Sequence, residues 1–224
     1  MAIQKNNSDY GFSLQKLICD KYDLEVWGSA IGLFAKGYNS DYDAELMPLC
    51  EKIFKEVGTV PVKLLTPAKM RIKNRLTKSP HNFLLADGKT LSIRTSKRSG
   101  KMSPHIVGQA GIDTMNDYFA DFFGGILTSQ SDIRRMVVDH IHEILPIFID
   151  NSFLSDYTVI IDRKDLSKLQ IFRSSDVGQY TFSKDDFSFT RDLEHWTEST
   201  TLKYHGSSIA EIQTHKNRNF KFRF

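Results

Sequence analysis

Apolar residues recur along this chain at two different spacings, and the switches between them lay out the elements. From Tyr10 to Leu33 the spacing is helical, which predicts one helix or a pair broken near Trp27-Gly28-Ser29. Ser40 to Glu56 repeats the pattern through Leu46, Leu49, Cys50, Ile53 and Phe54, with Ser40 or Asp41 placed to cap it. Val60 to Leu65 is a short β-type run. In Pro67 to Lys78, Met70 and Ile72 alternate with Arg71 and Lys73, compatible with an exposed strand or a short helix. Asn82 to Leu85 and Thr90 to Thr95 flank Asp87-Gly88, a strong two-residue turn signal, and so predict a β-hairpin. Ile112 to Phe123 is a helix closed by Gly124-Gly125. Ser131 to Ile149 is a longer one that Pro146 should bend or end. Tyr157 to Ile161 and Leu169 to Arg173 are strands, and Thr190 to Glu198 is loop-like with helical character. Leu202 to His205, Ile209 to Thr214 and Phe220 to Phe224 close the chain as a meander, the first two joined around Gly206-Ser207.

Helices enter first and strands close the chain, which predicts an α/β (α+β) fold with a central mixed sheet flanked by helices. The 224 residues suit a single domain over 1–224. Within it, 1–60 is mainly helical, 61–105 a basic β/loop segment, 106–150 helical and 151–224 rich in strands. No apolar run reaches the 18 or so residues of a membrane span, and Met1 to Tyr10 lacks a signal-peptide core. A cytoplasmic chain with no membrane partner is therefore expected. Cys19 and Cys50 stand singly in apolar stretches and are expected as small buried hydrophobes. No Cys/His spacing suits zinc. His140 and His142, two apart on a helix, do not share a face. Gly124-Gly125 follows a helix and lacks the continuation of a phosphate loop.

Charge changes the picture more than composition does. The net charge is only +3, yet Pro61 to His105 holds eleven basic residues and one acid, Asp87. The last 24 residues are basic again, with Lys203, Lys216, Arg218, Lys221 and Arg223 against Glu211. Concentrated positive charge is the footprint of a polyphosphate partner. Lys97, Arg98 and Lys101 flank Gly100 in a loop placed to clamp a nucleic-acid backbone, and Lys216 and Arg218 sit on a basic turn.

Candidate chemistry centres on Ser208 to His215. Period-two alternation puts Ala210, Ile212 and Thr214 on one face and Ile209, Glu211, Gln213 and His215 on the other. Upstream, a hairpin across Gly206 can bring Glu198 or its neighbours beside Glu211. Two carboxylates on adjacent strands suit Mg²⁺, which takes hard oxygen ligands and fills its shell with water and phosphate. Gln213 and His215 would then orient water or meet the phosphate.

A carboxylate, a hairpin, then acid-Xaa-Lys on the next strand is the pattern of the PD-(D/E)XK nuclease superfamily, and Glu211-Ile212-Gln213 resembles its Glu-Xaa-Gln variant. The string from Trp196 through Glu198, Glu211 to His215, Arg218 and Phe222-Arg223-Phe224 is similar to the ends of a group of bacterial restriction endonucleases. So is Ser92-Ile93-Arg94-Thr95-Ser96 with its basic loop. The sequence departs from the usual pattern in using Glu198 as first acid and Gln213 in place of Lys. The resemblance implies a type II restriction endonuclease: Mg²⁺-dependent, sequence-specific cleavage of double-stranded DNA, with Glu198 and Glu211 as metal ligands and Gln213 and His215 assisting. It also implies a homodimer, matching a palindromic site, and a cognate DNA methyltransferase in the host. Two alternatives stay open. Asp87 with Ser92 and Arg94 resembles a second superfamily core, where Arg94 would clamp phosphate, although Asp87 is better explained as a turn residue. A DNA- or RNA-binding module without catalysis would use the same basic patch.

Overall fold

The computed structural model describes residues 7–66, 68–72, 75–96, 102–162, 164–215 and 219–224. They form a mixed α/β structure of five helices and two five-stranded sheets, with a two-stranded hairpin besides. By internal contacts the chain divides into two compact units, Met1–Lys101 with Phe153–Asp176, and Met102–Ser152 with Val177–Phe224. One central sheet was expected. Each unit draws on two separate stretches of chain, which a linear pattern of helices and strands does not reveal.

In the first unit, α1 (Asn7–Lys21), α2 (Ser29–Gly37) and α3 (Asp43–Val57) cover a sheet of order β1-β4-β5-β7-β8. Its strands are β1 (Pro61–Leu64), β4 (Phe83–Leu85), β5 (Thr90–Ser96), β7 (Tyr157–Asp162) and β8 (Gln170–Arg173). Tyr10, Leu14, Leu17 and Ile18 make the buried stripe of α1, at the spacing that one helix face requires. The predicted break before Ser29 is present, but α1 already ends at Lys21. Trp27, in the connection, donates its indole N–H to the Leu64 carbonyl at 2.9 Å. Asn39, not Ser40 or Asp41, caps the short turn that leads into α3. The Asp87-Gly88 turn joins β4 to β5 as predicted: Gly88 has φ 82°, and Asp87 Oδ1 accepts from the Lys89 amide. Among the described strands only β5 and β7 pair in parallel. Thr90, whose amide and hydroxyl both donate to Asp156 at 2.8 Å, fixes the start of β5 beside β7. Every residue of β7 is buried, which explains its unbroken apolar pattern. The segment left open as strand or helix contains the hairpin β2 (Lys69–Ile72) and β3 (Arg75–Lys78).

The second unit packs α4 (Ile112–Phe123) and α5 (Gln130–Ser152) on an antiparallel sheet of order β6-β12-β11-β10-β9. Its strands are β6 (Gln109–Gly111), β9 (Phe187–Phe189), β10 (Ser199–Tyr204), β11 (Ser207–His215) and β12 (Asn219–Arg223). The three-residue strands β6 and β9 are too short to show a period, and sequence reading missed both. Gly124 closes α4 with φ 72°, as predicted. The bend of α5 falls at His140 (φ −123°, ψ 19°), upstream of Pro146, which lies inside the helix. From α5, Phe148 stacks on Phe222 at 4.2 Å and Phe220 at 5.7 Å, seating the helix on β12. The loop before β10 shows no helix; it delivers a fully buried Trp196 instead. Both cysteines are buried, and burial pushes each thiol up to about 12. Among the described residues no helix is long and apolar enough to cross a membrane.

Candidate active site

The acid-Xaa-amide motif lies on β11, the middle strand of the second sheet. Ala210, Ile212 and Thr214 are buried in the core, so alternation turns Glu211 and Gln213 to the other face, where both are half-buried. Gln213 Nε2 donates to Glu211 Oε1 at 2.6 Å, holding the carboxylate along its own strand.

The neighbouring strands extend that face. On β12, Phe220 and Phe222 are fully buried, so Lys221 and Arg223 project beside the motif. Pairing sets Lys221 across from Gln213 and Arg223 across from Glu211. On β10, Ser199 lies across from Gln213 and Thr201 across from Glu211, and on β6 Gln109 pairs with Lys221. The result is a polar face on which one carboxylate stands among two cations, amides and hydroxyls. Sequence reading passed over Lys221 and Arg223 as site residues. The alternation Phe220-Lys221-Phe222-Arg223-Phe224 was the signal that locates them.

Glu198 does not join Glu211. A two-residue turn at His205 (φ 46°) and Gly206 (φ 79°) sets Tyr204 against Ser207 and Lys203 against Ser208. The register then slips by one, so that Leu202 faces Ala210 and Thr201 faces Glu211. Ile209 is the extra residue, and it packs against the core rather than on the Glu211 face. Without this bulge the turn would carry Glu198 opposite Gln213. With it Glu198 aligns with Thr214, whose amide donates to the Glu198 carbonyl at 2.8 Å. The exposed Glu198 is three positions from the partner of Glu211, about 10 Å along the strand.

Arg134 on α5 fastens this junction. Its Nε donates to Thr214 Oγ1 at 3.0 Å, its Nη2 donates to the Thr197 carbonyl, and its Cζ lies 6.0 Å from the Trp196 ring centre. Desolvation lowers its pKa from the usual arginine value. Nothing in its local sequence marks this role.

The other expected residues are scattered. His215 ends β11, its backbone paired with Asn219, and its side chain lies outside the described residues. Lys97, Arg98, Lys101, Lys216 and Arg218 lie wholly outside them. Arg94 belongs to the first unit. It shares a β5 face with the buried Ser92 and Ser96, and desolvation lowers its pKa to about 10, which leaves it charged at neutral pH. Ser92 Oγ donates to Thr158 Oγ1 at 3.2 Å, and Asp162, buried on the partner strand β7, pairs with Ser96. His140 contacts Glu143 at 2.6 Å. Among the described residues no group of three or more His, Cys, Asp or Glu is arranged to hold a metal ion.

The chain is similar to the type II restriction enzyme CviAII of Paramecium bursaria Chlorella virus 1, with 26% identity over 182 residues, 73% of this chain. It spans about half (52%) of that protein's length. No family model and no solved structure matches it.

Proposed function

We propose that this chain hydrolyses phosphodiester bonds of double-stranded DNA at a specific sequence, with Mg²⁺, as a type II restriction endonuclease. The observation that carries the reading is the Glu211–Gln213 pair on the polar face of β11 with Lys221 and Arg223 across from it. The likeness to a type II restriction enzyme supports it. A lone carboxylate turned toward DNA repels phosphate; one set among cations on a polar sheet face does not.

Glu211 fits Mg²⁺ as a single carboxylate, since that ion uses few protein ligands and completes its shell with water and phosphate oxygens. When bound, Mg²⁺ supplies an activated water and screens charge on the phosphate. The chain's own groups have distinct tasks in this proposal. Gln213 holds the Glu211 carboxylate in one orientation, and His215, two residues on in the sequence, assists. Arg94 and the basic segment from Lys97 to Lys101, with Lys216 and Arg218, contact the backbone. A homodimer and a companion methyltransferase belong to the same proposal.

The separation of Glu198 from Glu211 favours one other reading, a nucleic-acid-binding module without catalysis. Incubation with unmethylated phage DNA, with and without Mg²⁺, separates the two. Discrete Mg²⁺-dependent fragments that disappear in Glu211→Ala are expected. A salt-sensitive gel shift without cutting would leave the binding module, and fragments that survive Glu211→Ala would move the site to the first unit.

A further inference from the structure

We propose that Lys221, rather than Arg223, supplies the positive charge that stabilises the reacting phosphate at Glu211. The inference rests on the endonuclease reading above and deepens it.

The register sets the two cations apart. Lys221 pairs with Gln213 and Arg223 with Glu211 on adjacent antiparallel strands. Directly opposed residues place their Cβ atoms about 5 Å apart on one face. The burial of Phe220, Phe222, Ile212 and Ala210 fixes which face that is. A slip by one residue would drive two cations into the core, so the arrangement is strongly specified.

Chemistry separates the two cations. Attack on a phosphodiester puts negative charge on the non-bridging oxygens. Water oxygen bonds to phosphorus, the bond to the leaving oxygen breaks, and that oxygen takes the electron pair and a proton. Gln213 is neutral; its amide can donate hydrogen bonds but adds no charge to offset this build-up. Lys221 stands directly beside it and carries a compact ammonium on a flexible stem, suited to a phosphate oxygen whose position shifts during reaction. Arg223 stands across from Glu211, two residues farther along β12. Both side chains are half-buried, where charge interactions are stronger than in bulk water.

The test uses the full chain, unmethylated phage DNA and Mg²⁺, with single-turnover cleavage and gel-shift affinity measured for Lys221→Met, Lys221→Arg and Arg223→Met. Loss of a donor aimed at developing charge lowers rate by about 100- to 1000-fold. Lys221→Met is expected to lose that much rate, with affinity falling less than about tenfold, and Lys221→Arg to recover part of it. Arg223→Met should lower rate less than Lys221→Met does, since Arg223 stands across from Glu211 rather than Gln213. A Lys221→Met protein that melts like the parent and cuts within about threefold of its rate overturns the proposal while leaving the endonuclease reading intact. A change in rate that only follows thermal stability across the three variants assigns a structural role and also overturns it. A folded parent that binds DNA but never cuts overturns both.

Discussion

Replacing Arg134 by Met isolates the clamp at the start of β10, because the apolar stem survives and the guanidinium goes. Three groups lose a partner: Thr214 Oγ1 at 3.0 Å, the Thr197 carbonyl, and Gln130 Oε1 at 3.4 Å. Hydrogen bonds to a charged group contribute about 1.5–3 kcal/mol each. The Thr197 carbonyl lies on an exposed residue and recovers water, and the 3.4 Å contact is weak. Thr214 is buried and recovers nothing. The lost contact over Trp196 adds about 0.5–1 kcal/mol. The sum is about 3 kcal/mol, read from urea unfolding. Thr214→Val removes the acceptor alone and should cost about 1 kcal/mol. Because the two side chains touch, the double variant should be less destabilised than the sum of the singles, by about 1–2 kcal/mol. Arg134→Met within about 0.5 kcal/mol of the parent, or costs that simply add, would refute the clamp.

Three further outcomes follow from particular residues. Glu211→Ala should abolish cleavage, whereas Glu198→Ala, three register positions away, should keep the rate within about tenfold; equal losses would place both acids at one site. Burial lowers the pKa of His81, whose Nδ1 lies 2.8 Å from Ser155 Oγ, so the unfolded chain binds a proton more readily than the folded one. Stability is therefore complete above the ordinary histidine pKa of 6.5 and falls as pH drops below it, and pH-dependent melts of His81→Gln should lose that part of the slope. Phe148→Ala should destabilise the second unit by about 3–5 kcal/mol, because the ring stacks between core phenylalanines; a melt unchanged from the parent would refute its place in that core.

Local structure was legible wherever a residue has one job. The Asp87-Gly88 turn, the limits of α4 and the strand at Tyr157 all follow from turn chemistry or unbroken burial. The division of the chain was not legible, since each unit is assembled from two stretches whose pairing is decided by long-range contact. The expected juxtaposition of Glu198 and Glu211 fails at one specific residue. Alternation gave the correct faces for Glu211 and Gln213, because Ile212 and Ala210 must enter the core. A hairpin across Gly206 was expected to bring Glu198 or its neighbours beside Glu211, and a regular hairpin would have set Glu198 opposite Gln213. Ile209 breaks the count by adding one residue to β11, and a one-residue slip inverts every assignment beyond it. No local propensity forbids Ile209 from continuing the strand regularly. Its half-burial against the core supports the bulge, and that contact depends on α4, α5 and β12 being in place. The bulge thus has a consequence for chemistry as well as for shape. It removes a second acid from the neighbourhood of Glu211 and leaves the groups directly opposite on β12, Lys221 and Arg223, as the charged neighbours the register supplies. A strand that kept Glu198 in register would add a second carboxylate opposite Gln213; among the described residues this face carries one carboxylate beside two cations, and a single extra isoleucine keeps the second acid off it.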